Sequence, residues 1–419
     1  MKMVEKVLLV GNGAREHAMA KKIVENENKL FSYMNYENPG IADLSEKFIL
    51  GNLTNFEKLS MFKNIDYAIV GPELPLSYGI TNYIEDKLGI PVASPREEVA
   101  KIETSKSFAR QILDTYRIEG NPYFKICETI SDFESFVKEN DLEIAIKPDG
   151  LTGGKAVKVY GDHFSSYSEA EVIVKQILSR DELVIIEQKI KGKEFSLQVF
   201  TDGKNIQLMP LVRDYKRAYE GDKGPNTGSM GSYSLPDHHL PFLEQNDVEK
   251  AINILKKTIK ALKEHTSIPY VGVLYGQFMK SEGKIFLIEF NARFGDPEAI
   301  NVLKLLKDDY NIINQSMIDQ SLKNVNFENK ATVCNYLVPK GYPLNPLRDR
   351  RIIINHPLKS DLFYASVYRK NKAIRTTTSR SLALLGVGDN IVEAKKKVNE
   401  DLTRIEGKLY WRTDIAELE

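Results

Sequence analysis

The stretch FLIEFNARFGDPE, residues 286–298, decides how the rest of the chain is read. Taken as a strand, it puts Phe286, Ile288, Phe290, Ala292 and Phe294 on one face and Glu289, Asn291 and Arg293 on the other. The first face suits a core. The second presents a carboxylate, an amide and a guanidinium in a row. Half-buried strands alternate in this way simply because one side is wet. However, solvated faces favour Lys, Thr and Ser, whereas Glu and Asn offer the oxygens that hard cations prefer. Arg in turn suits a phosphate or carboxylate fork. The strand then enters Gly295-Asp296-Pro297-Glu298, a turn and a helix start. These residues fit a metal–phosphate platform if the remainder of the chain supplies phosphate-binding loops.

At 419 residues the chain exceeds one ordinary core, and about two to four domains are expected. Hydrophobic residues at 42% and charged residues at 28% are a soluble globular balance. Lys plus Arg and Asp plus Glu both total 58, so the neutral chain gives no reason to expect a nucleic acid or an acidic membrane as partner. The two cysteines, Cys127 and Cys334, are too few for a disulfide scaffold or a Cys-based zinc site. A reducing, cytoplasmic location is expected from them and from the charged first residues. No apolar run reaches the length of a membrane span.

Strand and helix patterns alternate at the start. Val7–Val10 is a buried strand followed by a loop at 11–13 and a helix to Lys22; Ile65–Val70 and Ile90–Ala93 are further strands. A parallel, doubly wound sheet follows, with ligands at the strand C-termini. Ser94, Pro95 and Glu97 read as N-cap, first turn and capping box. A β-rich unit spans 122–190, with its clearest strands at Ile144–Lys147 and Leu183–Glu187. Phe195–Phe200 and Ile206–Leu211 flank the turn Asp202-Gly203. A helix covers 247–264, and Val271–Lys280 pairs with Lys284–Arg293 as a hairpin. An α+β segment runs from about 327. The expected division is 1–102 as an N-terminal domain, 103–121 with 193–326 as a central domain, 122–192 as a lid, and 327–419 as a C-terminal domain.

Four further patterns carry chemistry. Gly11-x-Gly13 lacks the third glycine of a dinucleotide fingerprint, which Glu16 replaces. With free backbone amides and Arg15 at a helix N-terminus, it suits a single phosphate, or serves only as a tight turn. IKPDGLTGGKAV, 146–157, places Lys147 before a loop of Gly150, Gly153 and Gly154 and adds Lys155; it is either a phosphate loop without Walker spacing or a plain hairpin turn. Glu187 and Glu194 bracket a turn at Gly192, as surface charge or as acceptors for a nucleoside. RDYKR, 213–217, and GPNTGSMG, 224–231, surround Asp214 with cations and add a polar loop fit for a zwitterion or a phosphate.

Together these motifs match one family. GNGAREHA at 11–18, IVGPELPL at 69–76, DGLTGGKAV at 149–157, GPNTGSMGSYS at 224–234 and IEFNARFGDPE at 288–298 stand in one order from Val7 to Asp414. The chain resembles the glycinamide ribonucleotide synthetases (phosphoribosylamine–glycine ligases), ATP-grasp enzymes of purine synthesis. The resemblance implies an α/β and α+β multidomain fold: an N-terminal doubly wound parallel sheet, ATP-grasp central and lid domains, and a small C-terminal α+β domain. It implies that Gln277, Glu289 and Asn291 bind Mg²⁺ or Mn²⁺, and that Lys106, Lys147, Gly153, Gly154 and Lys155 meet ATP phosphates. Glu187 would lie on the adenine side and Glu194 on the ribose. Asn12, Gly13, Pro39, Gly40 and Glu73 would hold phosphoribosylamine, and Arg15, read from its place at a helix N-terminus, would take the 5′-phosphate of that substrate. Asp214 and Arg293, with Lys155, would stand where glycine is activated. A monomer or weak homodimer acting on small molecules is the expected state.

The chain departs from the family pattern at Tyr215, usually His, and at Ser229 and Ala156, both usually Gly. Activating a carboxylate with ATP needs charge neutralisation and alignment more than a nucleophilic side chain, in keeping with a chain without a Ser-His-Asp signature. Three rival readings have discriminating features. A sister ATP-grasp ligase or carboxylase would share the metal strand but not GPNTGSMG. A nicotinamide-dependent oxidoreductase would need an acidic ribose partner after Gly11-x-Gly13. A nucleotide sensor would not need metals at the γ-phosphate.

Overall fold

The structure, a computed structural model, describes residues 4–140, 142–151, 156–180 and 183–417. Its first sheet has four parallel strands in the order Ser45–Leu50, Lys29–Met34, Lys6–Val10, Tyr67–Val70. Val7, Leu8, Leu9 and Val10 are fully buried, as a central parallel strand covered on both faces requires. The loops at 11–13, 35–38 and 71–72 leave the same, C-terminal edge of this sheet.

Two sequence expectations change here. Ile90–Ala93 is not a strand of the sheet but makes one parallel bridge, Ala68 to Val92. Pro91 has no N–H to donate, which limits the ladder at this point. The helix expected from Ser94 starts at Glu97 instead, with Arg96 in the cap position and no side-chain cap. The Ser94 hydroxyl is used elsewhere, accepting from Val70 N at 2.9 Å and so pinning the end of a sheet strand.

The segment 122–190 forms an antiparallel sheet ordered Phe124–Cys127, Val184–Gln188, Ile144–Pro148, Lys158–Val159. Helices Ile130–Asn140 and Tyr167–Leu178 cover it around a separate core that includes Phe133, Phe136, Ile146, Val174 and Ile186. Central to the chain is a second antiparallel sheet, ordered Ile206–Leu208, Lys193–Asp202, Val271–Ser281, Lys284–Asn291. The helix Gln245–Thr266 backs it, with Val248, Ala251, Leu255, Ile259 and Leu262 inward. The last large sheet is ordered Arg213–Asp214, Gly231–Ser234, Ala331–Pro339, Leu382–Gly388, Asp361–Tyr364. The polar motif around 213 is therefore hydrogen-bonded to the one around 231, and through it joins strands from the C-terminal part of the chain. Among the described residues no helix is long and apolar enough to cross a membrane.

The opening stretch is the second strand of its hairpin, as expected, but its alternation breaks. Gln277 pairs with Glu289, and Phe278 with Leu287, so Ile288 is a bulge. The inward residues are Ile285 and Leu287 before the bulge, and Phe290 and Ala292 after it. Phe286 and Ile288, expected in the core, are half-buried instead.

Candidate functional site

The cleft is built from the edge of the central sheet, the 122–190 unit and the C-terminal edge of the first sheet. Gln277 and Glu289 stand side by side on adjacent strands, and Asn291 pairs with Tyr275. Glu289 is half-buried and has no hydrogen-bond or ion-pair partner among the described residues. Gln277 is fully buried; its Nε2 donates to Glu194 Oε2 at 3.2 Å and its Oε1 meets the Tyr275 hydroxyl. Among the described residues no three His, Cys, Asp or Glu side chains group as a metal site. The oxygen donors here are one carboxylate and two amides.

Lys147 and Lys106 come together at this face. Lys147 Nζ lies 2.7 Å from Glu187 Oε2 and 3.4 Å from the Ile288 carbonyl that the bulge exposes. Lys106 Nζ donates to the Gly150 carbonyl at 2.6 Å. Burial lowers the Lys106 pKa; Lys147 adds to that lowering, whereas Glu289 opposes it. Asp149 ties the unit to the start of the helix Lys106–Thr115, accepting from Ser107 N at 3.1 Å and Ser107 Oγ at 2.7 Å. Gly153, Gly154 and Lys155 lie outside the described residues.

Glu187 is 3% exposed and both its oxygens are engaged. Arg110 Nε and Nη2 reach them at 2.7 and 3.0 Å, opposite Lys147. Burial opposes its ionisation, but Arg110 and Lys147 prevail and hold the carboxyl at about 2. Arg110 also donates to the carbonyls of Leu287 and Ile288, at 3.1 and 2.8 Å. Glu194 is more exposed and lies 3.4 Å from Lys216.

Arg293 joins the two ends of the cleft. Its Nε is 3.1 Å from Glu73 Oε2 and its Nη2 is 2.9 Å from Glu103 Oε1. Burial would raise the Glu73 carboxyl, but Arg293 and Arg15 hold it at about 2. Glu103 is pushed up to about 7 by its burial, against the pull of Arg293. Near the other end, Glu298 is buried; its Oε1 lies 3.0 Å from the Tyr275 hydroxyl. Burial and the neighbouring Asp214 push Glu298 up to about 7. Burial likewise raises the Asp214 carboxyl, with Lys216 opposing.

Arg15, just after the N-terminal loop of Asn12 and Gly13, faces Glu73, which in turn meets Arg293. Arg15 Nε donates to Glu16 at 2.6 Å and Nη1 to the Phe294 carbonyl at 3.0 Å, and Nη2 is 3.9 Å from Glu73. The Gly13 amide donates to Glu16 Oε2 at 2.6 Å, so that amide is already taken. Pro39 and Gly40 open a short helix capped by Asn38, whose Oδ1 accepts from Gly40 N at 2.9 Å. Gly40 lies against the His17 ring, where a Cβ would come within 2.1 Å.

Sequence reasoning did not single out Arg110, Glu103, Tyr275 or Glu298 for a role, and Lys216 entered only as one of the cations around Asp214. Arg110 carried a usable signal: it sits between Ala109 and the apolar Ile112 and Leu113 in an amphipathic helix, and a buried guanidinium there demands a carboxylate. Tyr275 carried none, since aromatic strand residues are usually core.

Family descriptions match almost the whole chain. The phosphoribosylglycinamide synthetase N domain matches residues 5–103, the ATP-grasp (A) domain of the same family 104–299, and its C domain 332–418. The chain is 42% identical to a phosphoribosylamine–glycine ligase of Methanocella arvoryzae, over 98% of this chain and 96% of that protein. It is 43% identical to the enzyme of the same name from Methanosarcina barkeri, with the same two coverages. A crystal structure of phosphoribosylamine–glycine ligase from Thermotoga maritima superposes with a TM-score of 0.83 at 26% identity, covering 98% of this chain and 100% of that one. An N5-carboxyaminoimidazole ribonucleotide synthetase from the same organism, at 14% identity and a TM-score of 0.68, covers 96% of this chain and 99% of its own and shares the fold. The chain belongs to the phosphoribosylglycinamide synthetase family.

Proposed function

We propose that this chain joins glycine to 5-phosphoribosylamine at the expense of ATP, giving glycinamide ribonucleotide, ADP and phosphate, a step of de novo purine synthesis. One observation carries the reading. Glu289, a carboxylate with no hydrogen-bond or ion-pair partner among the described residues, stands beside the buried amide of Gln277, and the two lysines Lys106 and Lys147 converge on the same face. An anionic, metal-chelated polyphosphate is the ligand that such a set of oxygens and ammonium groups would neutralise.

The oxygen-donor set fits Mg²⁺ or Mn²⁺, with Gln277, Glu289 and Asn291 as the holders; the ion would supply charge neutralisation at the β- and γ-phosphates. Lys106 and Lys147, with Lys155, place the phosphates. A glycine carboxylate oxygen attacks the γ-phosphorus, the bond to the β-phosphate oxygen breaks, and ADP leaves with that electron pair. The product is glycyl phosphate. The amine of phosphoribosylamine then attacks the acyl carbon, phosphate leaves, and the amine gives up a proton. Arg293, held by Glu73 and Glu103, would lie between the two substrates, and Asp214 with Glu298 would offer carboxylates for the glycine ammonium group. Asn12, Gly13, Arg15, Pro39, Gly40 and Glu73 are assigned to phosphoribosylamine. Glu187 and Glu194 line the nucleoside side, Glu187 through its hold on Lys147. Sealing by the 122–192 lid protects the acyl phosphate from water. The reading fits a cytoplasmic enzyme acting on small molecules alone.

The test is ADP release by the purified protein with each substrate omitted in turn, with mass detection of glycinamide ribonucleotide. ADP release that needs neither glycine nor phosphoribosylamine would refute the assignment.

A further inference from the structure

Arg380 lies beyond every motif that marked the site, yet its guanidinium closes on two of them. Its Nη1 donates to the carbonyls of Gly228, of Ser229 at 3.1 Å and of Asp296 at 3.1 Å. Its Nη2 forms an ion pair with Asp296 Oδ2 at 2.9 Å. The guanidinium carbon is 4.3 Å from the centre of the Tyr336 ring, and the Tyr336 hydroxyl donates to the other Asp296 oxygen. The side chain is 13% exposed. Its backbone is anchored from the far side, where Ser366 N donates to the Arg380 carbonyl at 2.8 Å.

Both loops lead to groups assigned to glycine activation. Asp296 sits between Arg293 and Glu298. Ser229 occupies the left-handed region, at φ +82°, where a non-glycine residue must be held by its surroundings. Its neighbours carry the constraint onward: Met230 N donates to the Tyr215 carbonyl at 2.7 Å and Tyr215 N to the Gly231 carbonyl at 2.9 Å, next to Asp214. A planar, five-donor group is suited to binding several carbonyls and a carboxylate at once.

We infer that Arg380 is a positioning residue that clamps the 228–231 loop to the 295–298 turn and so sets Asp214 against Arg293 and Glu298 for glycine. The inference rests on the ligase reading. Its experiment compares wild type with Arg380→Gln and with Asp296→Asn, which removes only the charged partner. If the wild type makes no glycinamide ribonucleotide, the ligase reading itself falls.

With an active wild type, Arg380→Gln raises the KM for glycine and lowers kcat, together about 10- to 100-fold in kcat/KM, as a misplacement near 1 Å does. The Kd for ATP, measured by calorimetry, stays within about twofold, and the calorimetric site count corrects for unfolded protein. ADP released per glycinamide ribonucleotide rises above one, because glycyl phosphate is left to water. Asp296→Asn shows the same split in smaller degree, and it decides the matter if Arg380→Gln does not fold. The double variant is no worse than the worse single one. Folded variants with unchanged glycine KM and unchanged coupling would overturn the clamp. So would a rise confined to the KM for phosphoribosylamine, which would make Arg380 a ligand of that substrate.

Discussion

Glu187→Gln is a sharp probe of how the proposed nucleotide side is held together. The substitution keeps shape and removes one charge from between Arg110 and Lys147, at 2.7 Å from each. Holding the carboxyl at about 2 instead of its ordinary 4.5 converts to about 3 kcal/mol in favour of the ionised form. Removing one partner of a buried pair independently costs about 3–5 kcal/mol, because the remaining cations stay desolvated. Glu187→Gln should therefore lower the melting temperature of the unit containing it by more than about 10 °C. It should also weaken ATP binding about tenfold or more, as Lys147 loses its anchor. The pH dependence has a definite sign. A depressed carboxyl stabilises fully above its unfolded pKa of 4.5, and that contribution is lost as pH falls towards about 2. The gap between variant and wild type should be flat from pH 8 to 5 and narrow below that. Equal melting temperatures at pH 7 with equal ATP affinity would refute the reasoning.

Three other outcomes are expected. Glu289→Gln should melt within about 1 °C of wild type, since the carboxylate is half-buried and partnerless among the described residues, yet should lose about 100-fold or more in ligation rate; a fully active variant would remove Glu289 from the metal site. Arg15→Ala should raise the KM for phosphoribosylamine with the KM for ATP almost unchanged. Because Glu16 and the Phe294 carbonyl lose their donor, it should also cost about 1–3 kcal/mol in denaturant titrations, and an effect on the ATP KM alone would reverse the two ends of the cleft. Ser229→Gly should shift stability by less than about 1 kcal/mol, because relief at φ +82° offsets the hydroxyl's bond to the Gly231 carbonyl at 2.8 Å. A loss well beyond that in chemical denaturation would mean the serine hydroxyl is a structural requirement of the loop.

Much of the fold was legible because its signals are local. The buried run Val7–Val10, the Asp202-Gly203 turn and the 3.6-residue period around Leu255 each determine an element by nearest-neighbour physics. Sheet membership was less legible. Arg213–Asp214 and Gly231–Ser234 are short and polar; they pair with each other, and the strand that takes the pair into a sheet arrives about a hundred residues after Gly231–Ser234, at Ala331–Pro339. No local pattern encodes such a pairing. The cap expected at Ser94 failed for a related reason: its hydroxyl had a better use at Val70, on a strand 24 residues away.

The same division runs through the site. Charged residues in ordered motifs were visible, but the groups that hold them were not. Arg293 reads as a free fork for substrate, yet two of its nitrogens face Glu73 and Glu103. On the proposed ligase reading, it would offer substrate a fixed position and a field, which suits a reaction governed by alignment. The bulge at Ile288 makes the point most directly. Strict alternation places Phe286 and Ile288 in the core and leaves Lys147 and Arg110 without their acceptors on this strand. One extra residue turns Leu287 inward and presents the Leu287 and Ile288 carbonyls to the Arg110 guanidinium. Lys147 reaches the second of these from the other unit. A bulge disrupts the ladder locally. Here the carbonyls at the break bind the cations that link the 122–190 unit to the central sheet, at the edge where Glu289 begins the polar face.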